Sequence, residues 1–205
     1  MIYVTYSLIK RLHKLGYIYA EIRFAPQLHT LNGLNEEEVI TSVIKGLEKG
    51  LLESPGLDAN IILCCMRQSP YEINVKTIEA AITLKDPHIV AIDLAGPEAF
   101  LPTIEYKNLF QIASDNGLNI IIHAGEACGN ESIVGALDIG AKRIGHGVHL
   151  SLNQEMINKV KNKIYFEFCP TSNLQTKSLK NYKEVPLRQF MDNEILVTVN
   201  SDNMT

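Results

Sequence analysis

Short apolar segments alternate with more polar segments along the whole chain. The apolar segments are rich in Ile, Val, Leu, Phe and Tyr, and most are nearly continuous, which is typical of strands buried on both faces of a parallel sheet. Successive segments begin more than about 20 residues apart, which leaves room for a helix that crosses between parallel strands. Seven strands are therefore predicted, at residues 17–24, 60–66, 89–95, 119–124, 142–145, 164–169 and 195–200.

The segments between the predicted strands carry helix signals. Asn35 precedes three consecutive glutamates, and Glu38 lies at the spacing of a capping box, so a helix is expected to begin there. Three glycines stand where helices are expected to end in a residue with positive φ: Gly16, Gly117 and Gly140. The chain thus reads as seven β-α units, which fits a doubly wound open sheet or a (β/α)8 barrel.

The positions of the polar residues favour the barrel. In a (β/α)8 barrel the carboxyl ends of all strands converge on one face, where the active site lies. No Gly-x-Gly-x-x-Gly follows a predicted strand, which disfavours a dinucleotide-binding open sheet. The predicted fold class is α/β, a (β/α)8 TIM-type barrel that is incomplete here. Polar side chains recur at the predicted strand ends, at Arg23, Arg67, Asp93, His123, His146, Asn173 and Asp202.

Composition and charge narrow the class of protein. With 205 residues, 46% of them apolar, we expect one domain spanning residues 1–205. The balance of 19 basic against 23 acidic residues argues against nucleic acid as a partner. No apolar run approaches the roughly 20 residues of a membrane span, so no membrane partner is expected. Four cysteines without a Cys-x-x-Cys pair fit a reducing, cytoplasmic setting.

Two histidines carry the candidate chemistry. His123 ends an apolar run, and Glu126 follows three residues later across a glycine turn, so both can face the same space. Imidazole suits zinc, and a carboxyl group can carry protons. His146 stands between two glycines at the next predicted strand end, where a ligand can approach the backbone closely. Each of these residues, taken alone, also fits a purely structural role in a turn.

Asp202 follows the last predicted strand and can act as a metal ligand or as a helix N-cap. The combined evidence for a functional site is stronger than the evidence from any single residue, because histidine, glutamate and aspartate all follow strands in one β-α array. Metal-assisted hydrolysis is the reaction class that this set serves best.

The chain resembles the adenosine deaminase family of the metal-dependent amidohydrolase superfamily. Six motifs carry the resemblance in order along almost the whole chain: YAEIRFAP at 19–26, DLAG at 93–96, HAGE at 123–126, GHG at 145–147, CPTSN at 169–173 and SD at 201–202.

The resemblance implies a cytoplasmic enzyme of purine salvage that converts adenosine, a small-molecule purine nucleoside, to inosine and ammonia. One zinc ion is implied, with His123 and Asp202 as ligands. Glu126 would protonate the purine N1, His146 would orient the attacking water and help to deprotonate it, and Gly96 would offer its backbone N–H to the purine N3.

Two departures from the family pattern shape our expectations. The family carries a His-x-His pair on its first strand, and no such pair occurs here, so we expect strands two to eight only. The sequence also stops at Thr205, just past the predicted last strand, so we expect the final helix to be absent and the barrel domain to be truncated at both ends. Two further histidine ligands would then come from the absent first segment. Asn203 stands where many members have an aspartate that contacts the purine N7.

Three alternatives stay open at this stage. The substrate can be adenine or another 6-aminopurine instead of adenosine, and the chain can be a non-catalytic remnant. The activity of these 205 residues alone is also open, since two of the expected zinc ligands are missing. The sequence gives no oligomeric state.

Overall fold

The structure is a computed structural model that describes residues 1–203. The chain divides into two compact units, the first formed by Met1–Asp93 and the second by the residues from Leu94 onwards. No helix among the described residues is long and apolar enough to cross a membrane.

The first unit alternates helices and parallel strands. Two short 3-10 helices, Pro26–His29 and Leu31–Gly33, follow its first strand. Its main elements are α1 (Ile2–Lys14), β1 (Tyr19–Phe24), α2 (Glu36–Leu52), β2 (Asp58–Met66), α3 (Tyr71–Leu84) and β3 (Ile89–Ala95), whose last two residues belong to the second unit.

Strand β2 forms the core of the first unit. It is buried along most of its length and pairs in parallel with β1, from Tyr19 opposite Asp58 to Phe24 opposite Leu63. The predicted capping box at the start of α2 is confirmed, because Asn35 and Glu38 exchange hydrogen bonds of 2.9 Å.

A strand-end ion pair lies in the same unit. Arg23 on β1 donates a hydrogen bond of 2.8 Å to Asp93 on β3, whose side chain is fully buried. A buried carboxylate needs such a partner, so this pair is a structural feature of the strand ends.

The second unit repeats the same alternation. A 3-10 helix at Thr103–Tyr106 precedes it and another at Tyr182–Glu184 interrupts it. Its elements are α4 (Lys107–Asp115), β4 (Ile120–Ala124), α5 (Asn130–Ile139), β5 (Arg143–His146), α6 (Gln154–Val160), β6 (Tyr165–Phe168), α7 (Pro170–Gln175), α8 (Leu187–Asp192) and β7 (Leu196–Val199).

Strands β4 to β7 are parallel neighbours in chain order. Phe190 on α8 packs edge-on against Phe166 and Phe168 of β6, with ring centroids 5.2 and 4.8 Å away, and all three rings are fully buried. Edge-to-face packing at these distances is favourable for aromatic pairs. This cluster fixes β6, and with it the start of α7.

All seven predicted strands are present, and their ends differ from the prediction by no more than two residues. The strand order follows the chain from β1 to β7. This sequential parallel order with intervening helices confirms the predicted fold class, an incomplete (β/α)8 type with seven strands among the described residues. Gly16, Gly117 and Gly140 have positive φ, as predicted.

Candidate active site

His123 lies against a glycine of the neighbouring strand. It pairs in register with Gly145, and a Cβ atom at Gly145 would come within 2.9 Å of the His123 Nδ1 atom. Because real Cβ atoms do not approach this closely, the absence of a side chain at Gly145 is what lets the imidazole lie there. The His123 and His146 rings meet edge-on, with centroids 5.1 Å apart.

His146 is buried and has an unusual backbone conformation. Its side chain is 3% exposed, and its φ of +63° falls in the left-handed region that non-glycine residues rarely adopt. Such conformations cost on the order of 1–3 kcal/mol and cluster at functional sites. The backbone at the end of β5 therefore holds this ring in an orientation that the local sequence does not favour.

Glu126 lies beside His146. The Glu126 Oε2 atom is 3.7 Å from His146 Nε2. Its other oxygen, Oε1, accepts a hydrogen bond of 2.9 Å from the Thr176 hydroxyl and one of 3.3 Å from the Asn173 amide. The two carboxyl oxygens therefore have different surroundings.

Asn173 connects Glu126 and His146. It is fully buried on α7, and its Nδ2 atom lies 3.1 Å from His146 Nδ1 as well as 3.3 Å from Glu126 Oε1. The sequence placed Asn173 among the strand-end polar residues but assigned it no contact. We call Glu126, His146 and Asn173 the acid–histidine trio.

Glu98 holds the loop that carries Glu126. Its carboxylate, 7% exposed, accepts hydrogen bonds from four consecutive backbone N–H groups: Gly125 at 2.6 Å, Glu126 at 3.0 Å, Ala127 at 2.6 Å and Cys128 at 2.9 Å. Gly125 permits this curl, since its φ is +70° and a Cβ there would lie 2.6 Å from the Ile133 Cδ1 atom. The sequence analysis assigned no role to Glu98.

The same contacts decide the charge of Glu98. Burial raises the pKa of the Glu98 carboxyl, but hydrogen bonds from the Ser132 hydroxyl and from the backbone of Cys128, Ala127 and Gly125 outweigh burial, so the pKa lies below its ordinary value. The loop 125–128 is therefore held around a carboxylate that stays ionised at neutral pH.

The remaining predicted site residues are Asp202, Asn203 and Gly96. Asp202 and Asn203 are exposed after β7, and Gly96, with a φ of +95°, is half-buried directly after β3. Within residues 1–203, none of the three is hydrogen-bonded to Glu126 or Asn173. The roles predicted for them remain predictions.

The number of metal-binding side chains that lie close together shows whether the described residues could hold a metal ion. Among the described residues, no three His, Cys, Asp or Glu side chains lie close enough together to hold a metal ion. Catalytic zinc usually has three protein ligands. The described residues by themselves therefore do not fit a complete catalytic zinc centre, although His123 offers one imidazole.

Sequential parallel strands with paired histidines and an acid at their ends are features that the chain shares with solved amidohydrolase-type deaminases. Two solved structures are similar to the chain: adenine deaminase from Arthrobacter aurescens (TM-score 0.87, 26% identity, 97% of this chain and 61% of that one) and a zinc-bound amidohydrolase from Burkholderia ambifaria (TM-score 0.88, 17% identity, 97% and 56%).

The family model described as adenosine deaminase matches residues 1–205, and the chain belongs to the adenosine deaminase family. A curated relative, the adenosine deaminase of Haemophilus ducreyi, is 43% identical over 205 residues, which cover 97% of this chain and 59% of the relative. The chain thus spans about three fifths of the length of the curated relatives that it matches.

Proposed function

We propose that the protein carrying this chain catalyses the hydrolytic deamination of adenosine, and of 2'-deoxyadenosine, to inosine and ammonia. The observation that carries the proposal is the pairing of Glu126 with His146, whose Oε2 and Nε2 atoms face each other at 3.7 Å at the ends of neighbouring β-α units. Membership of the adenosine deaminase family supports this reading.

The reaction needs one proton donor for the purine N1 and one proton acceptor for the water that attacks C6. We assign to Glu126 the role of proton donor. It protonates the purine N1, so that negative charge does not build up on the ring as water attacks C6. His146 orients that water and takes its proton. The proton that His146 has taken passes to the amino group, the C6 hydroxyl proton returns to Glu126 as the C6–O double bond forms, and the C6–N bond breaks to release ammonia. The overall change is hydrolysis with no change of redox state.

Substrate contacts belong to the same proposal. Gly96 is assigned to the purine N3 through its backbone N–H, and Asn203 to N7 through its side-chain amide. N7 is only an acceptor, and an asparagine amide carries donor hydrogens at every pH, so Asn203 suits this contact without needing protonation.

Zinc is the metal proposed for the whole protein, with His123 and Asp202 as two of its ligands. A similar solved structure contains zinc. Because the described residues do not gather a third donor, we attribute the proton transfers to Glu126 and His146 and expect further ligands to come from histidines of the kind that the family carries on its first strand.

The test measures inosine and ammonia formed from adenosine. Two preparations are compared, the 205-residue chain and the same chain joined to an N-terminal segment that bears the family's His-x-His pair. We expect stoichiometric inosine and ammonia from the joined protein. A correctly folded joined protein that deaminates no 6-aminopurine would contradict the proposal.

Adenine is the second candidate substrate. The observation that favours it is the likeness to the Arthrobacter aurescens adenine deaminase, at a TM-score of 0.87 and 26% identity. The ratio of kcat/KM for adenosine to kcat/KM for adenine separates the two: a ratio well above one supports adenosine, and a ratio well below one supports adenine.

A further inference from the structure

We propose that Thr176 is a positioning residue for Glu126. Its side-chain hydroxyl group donates a hydrogen bond to one oxygen of the Glu126 carboxyl group, and this contact keeps the other oxygen facing His146. Thr176 itself lies just after α7, 50 residues from Glu126 along the chain. This inference deepens the proposed function and rests on it for its catalytic meaning.

Three contacts of the Thr176 hydroxyl group decide where its single hydrogen points. The Oγ1 atom lies 2.9 Å from Glu126 Oε1, 2.9 Å from Ser178 Oγ and 3.4 Å from the carbonyl oxygen of Asn173. A carboxylate oxygen can only accept a hydrogen bond, whereas the Ser178 hydroxyl group can also donate one. The arrangement that satisfies all these groups therefore runs from Ser178 to Thr176 and from Thr176 to Glu126.

The turn after α7 brings these two hydroxyl groups together. Lys177 has a φ of +62°, in the left-handed region that residues other than glycine rarely adopt, and such conformations cluster at functional sites. The chain reverses there, and the N–H of the buried Leu179 returns to the carbonyl oxygen of Asn173 at 3.1 Å. The turn is thus anchored to the end of α7, and Thr176 and Ser178 lie side by side.

The contact with Thr176 fixes the direction of the Glu126 carboxyl group. At 2.9 Å it is shorter than the contact of the same oxygen with the Asn173 amide, at 3.3 Å. A carboxyl group is planar, so an anchored Oε1 leaves Oε2 in one direction, where it faces His146 Nε2 at 3.7 Å. A glutamate side chain has several free torsions, and each hydrogen bond that holds it removes rotamer freedom. Thr176 therefore keeps Glu126 beside His146.

The proposed reaction requires the acid and the histidine to stay side by side. The purine atoms N1 and C6 are bonded neighbours, so the group that protonates N1 and the group that orients the water attacking C6 must lie next to each other. A Glu126 side chain that turned away from His146 would leave substrate binding intact but would be out of position for proton transfer. The effect of Thr176 is therefore expected on kcat and not on KM.

The first experiment measures the direction of the Glu126 side chain in the 205-residue chain. The chain is labelled with 13C and 15N, and three-bond NMR couplings report the χ1 and χ2 torsions of Glu126. We expect the couplings of a single rotamer in the unaltered chain and in Thr176→Ser, which keeps the hydroxyl group. Thr176→Val keeps the shape of the side chain but has no hydroxyl group, so we expect couplings averaged over several rotamers.

The control variant is Thr83→Val, which removes the hydroxyl group of an exposed threonine on α3 and should leave the Glu126 couplings unchanged. Thr176 is also exposed, so its substitution by valine is expected to leave the fold intact. Thr176→Ala is a second variant without the hydroxyl group, and we expect the same averaging in it. Averaged couplings in the unaltered chain overturn the proposal, and so does a single unchanged rotamer in folded Thr176→Val or Thr176→Ala.

The second experiment measures deamination by the chain joined to the His-x-His segment. Thr176→Val should lower kcat for adenosine by about tenfold and leave KM within about twofold, because the lost hydrogen bond positions a group that acts in the transition state. Thr176→Ser should keep kcat within about threefold of the unaltered value, and Thr83→Val should not change it. A change confined to KM, or a Thr176→Ser protein as slow as Thr176→Val, would contradict the catalytic meaning.

The two experiments separate this inference from the proposed function. The couplings need no enzyme activity, so a joined protein that deaminates no 6-aminopurine contradicts the proposed function and leaves the measured direction of Glu126 standing. Averaged couplings in the unaltered chain, together with normal deamination by the joined protein, contradict the role of Thr176 alone.

Discussion

At the scale of single residues, two buried side chains contact the candidate catalytic residues or the loop that carries one of them. Asn173 on α7 lies within hydrogen-bond distance of Glu126 and His146, and Glu98 holds the loop that carries Glu126 through four backbone N–H groups. Charge-assisted hydrogen bonds of this kind are stronger than neutral ones. The position of Glu126 is therefore fixed by its backbone as well as by its side-chain contacts.

Replacing Glu98 should loosen this loop. We expect Glu98→Ala to lower the free energy of unfolding by about 3 kcal/mol, because it leaves several buried N–H groups unpaired. Glu98→Gln keeps the shape and one acceptor oxygen, so we expect a loss of about 1–2 kcal/mol. Chemical denaturation of the two variants measures this.

Glu155→Gln is the matched control, since Glu155 is an exposed residue whose ion pair with Lys159 lies on the surface of α6. Its effect should be within about 0.5 kcal/mol. If Glu98→Ala unfolds at the same denaturant concentration as Glu155→Gln, the four hydrogen bonds do not stabilise the loop.

At the scale of elements, the strands were predictable and the connections between side chains were not. Continuous apolar runs such as 120–122 indicate a strand buried on both faces. The observed strand ends lie within two residues of the predicted ones. The nearness of His123 and His146 was also predictable, since both stand at the ends of neighbouring strands. The contacts of Glu98, Asn173 and Thr176 with Glu126 or its loop were not predicted, because these residues lie 27 to 50 positions away along the chain. The side-chain directions of α7 and of the segment after β3 are set by packing.

Acid should release the loop 125–128. The pKa of Glu98 is lowered in the folded chain, so its contribution to stability is present above its ordinary value of 4.5 and is lost as the pH falls below that value toward the folded pKa. We expect the amide signals of residues 125–128 to be constant near neutral pH and to shift together on acidification below about pH 4.5. Glu98→Gln should remove this transition, and an identical transition in that variant would show that another group causes it.

At the scale of the whole molecule, the chain carries an ordered acid–histidine trio but no complete metal site among its described residues. Zinc affinity grows from several deprotonated ligands held in place by the fold. We therefore expect the 205-residue chain, dialysed against dilute zinc and then against buffer, to retain well under one zinc per chain by atomic emission.

Joining the chain to a segment that bears the His-x-His pair should raise the content to about one zinc per chain, since a catalytic zinc needs about three protein ligands. His13→Ala is the control variant and should leave the zinc content unchanged. His13 lies on the surface of the first unit, where its ring contacts the carbonyl oxygen of Pro55. One tightly held zinc in the unextended chain would contradict the conclusion that its described residues form no complete zinc site.

Glu126, held beside His146, is the proton donor of the deamination that we propose. The measurement that tests this role of Glu126 most directly is kcat for adenosine in Glu126→Gln. The variant is made in the chain joined to the His-x-His segment and is compared with the unaltered joined protein and with Glu155→Gln. A glutamine keeps the size and the acceptor oxygen of Glu126 but cannot give a proton to N1. We expect kcat to fall by about 10²–10⁴-fold in Glu126→Gln and to be unchanged in Glu155→Gln. A folded Glu126→Gln protein that deaminates adenosine at the unaltered rate would contradict it.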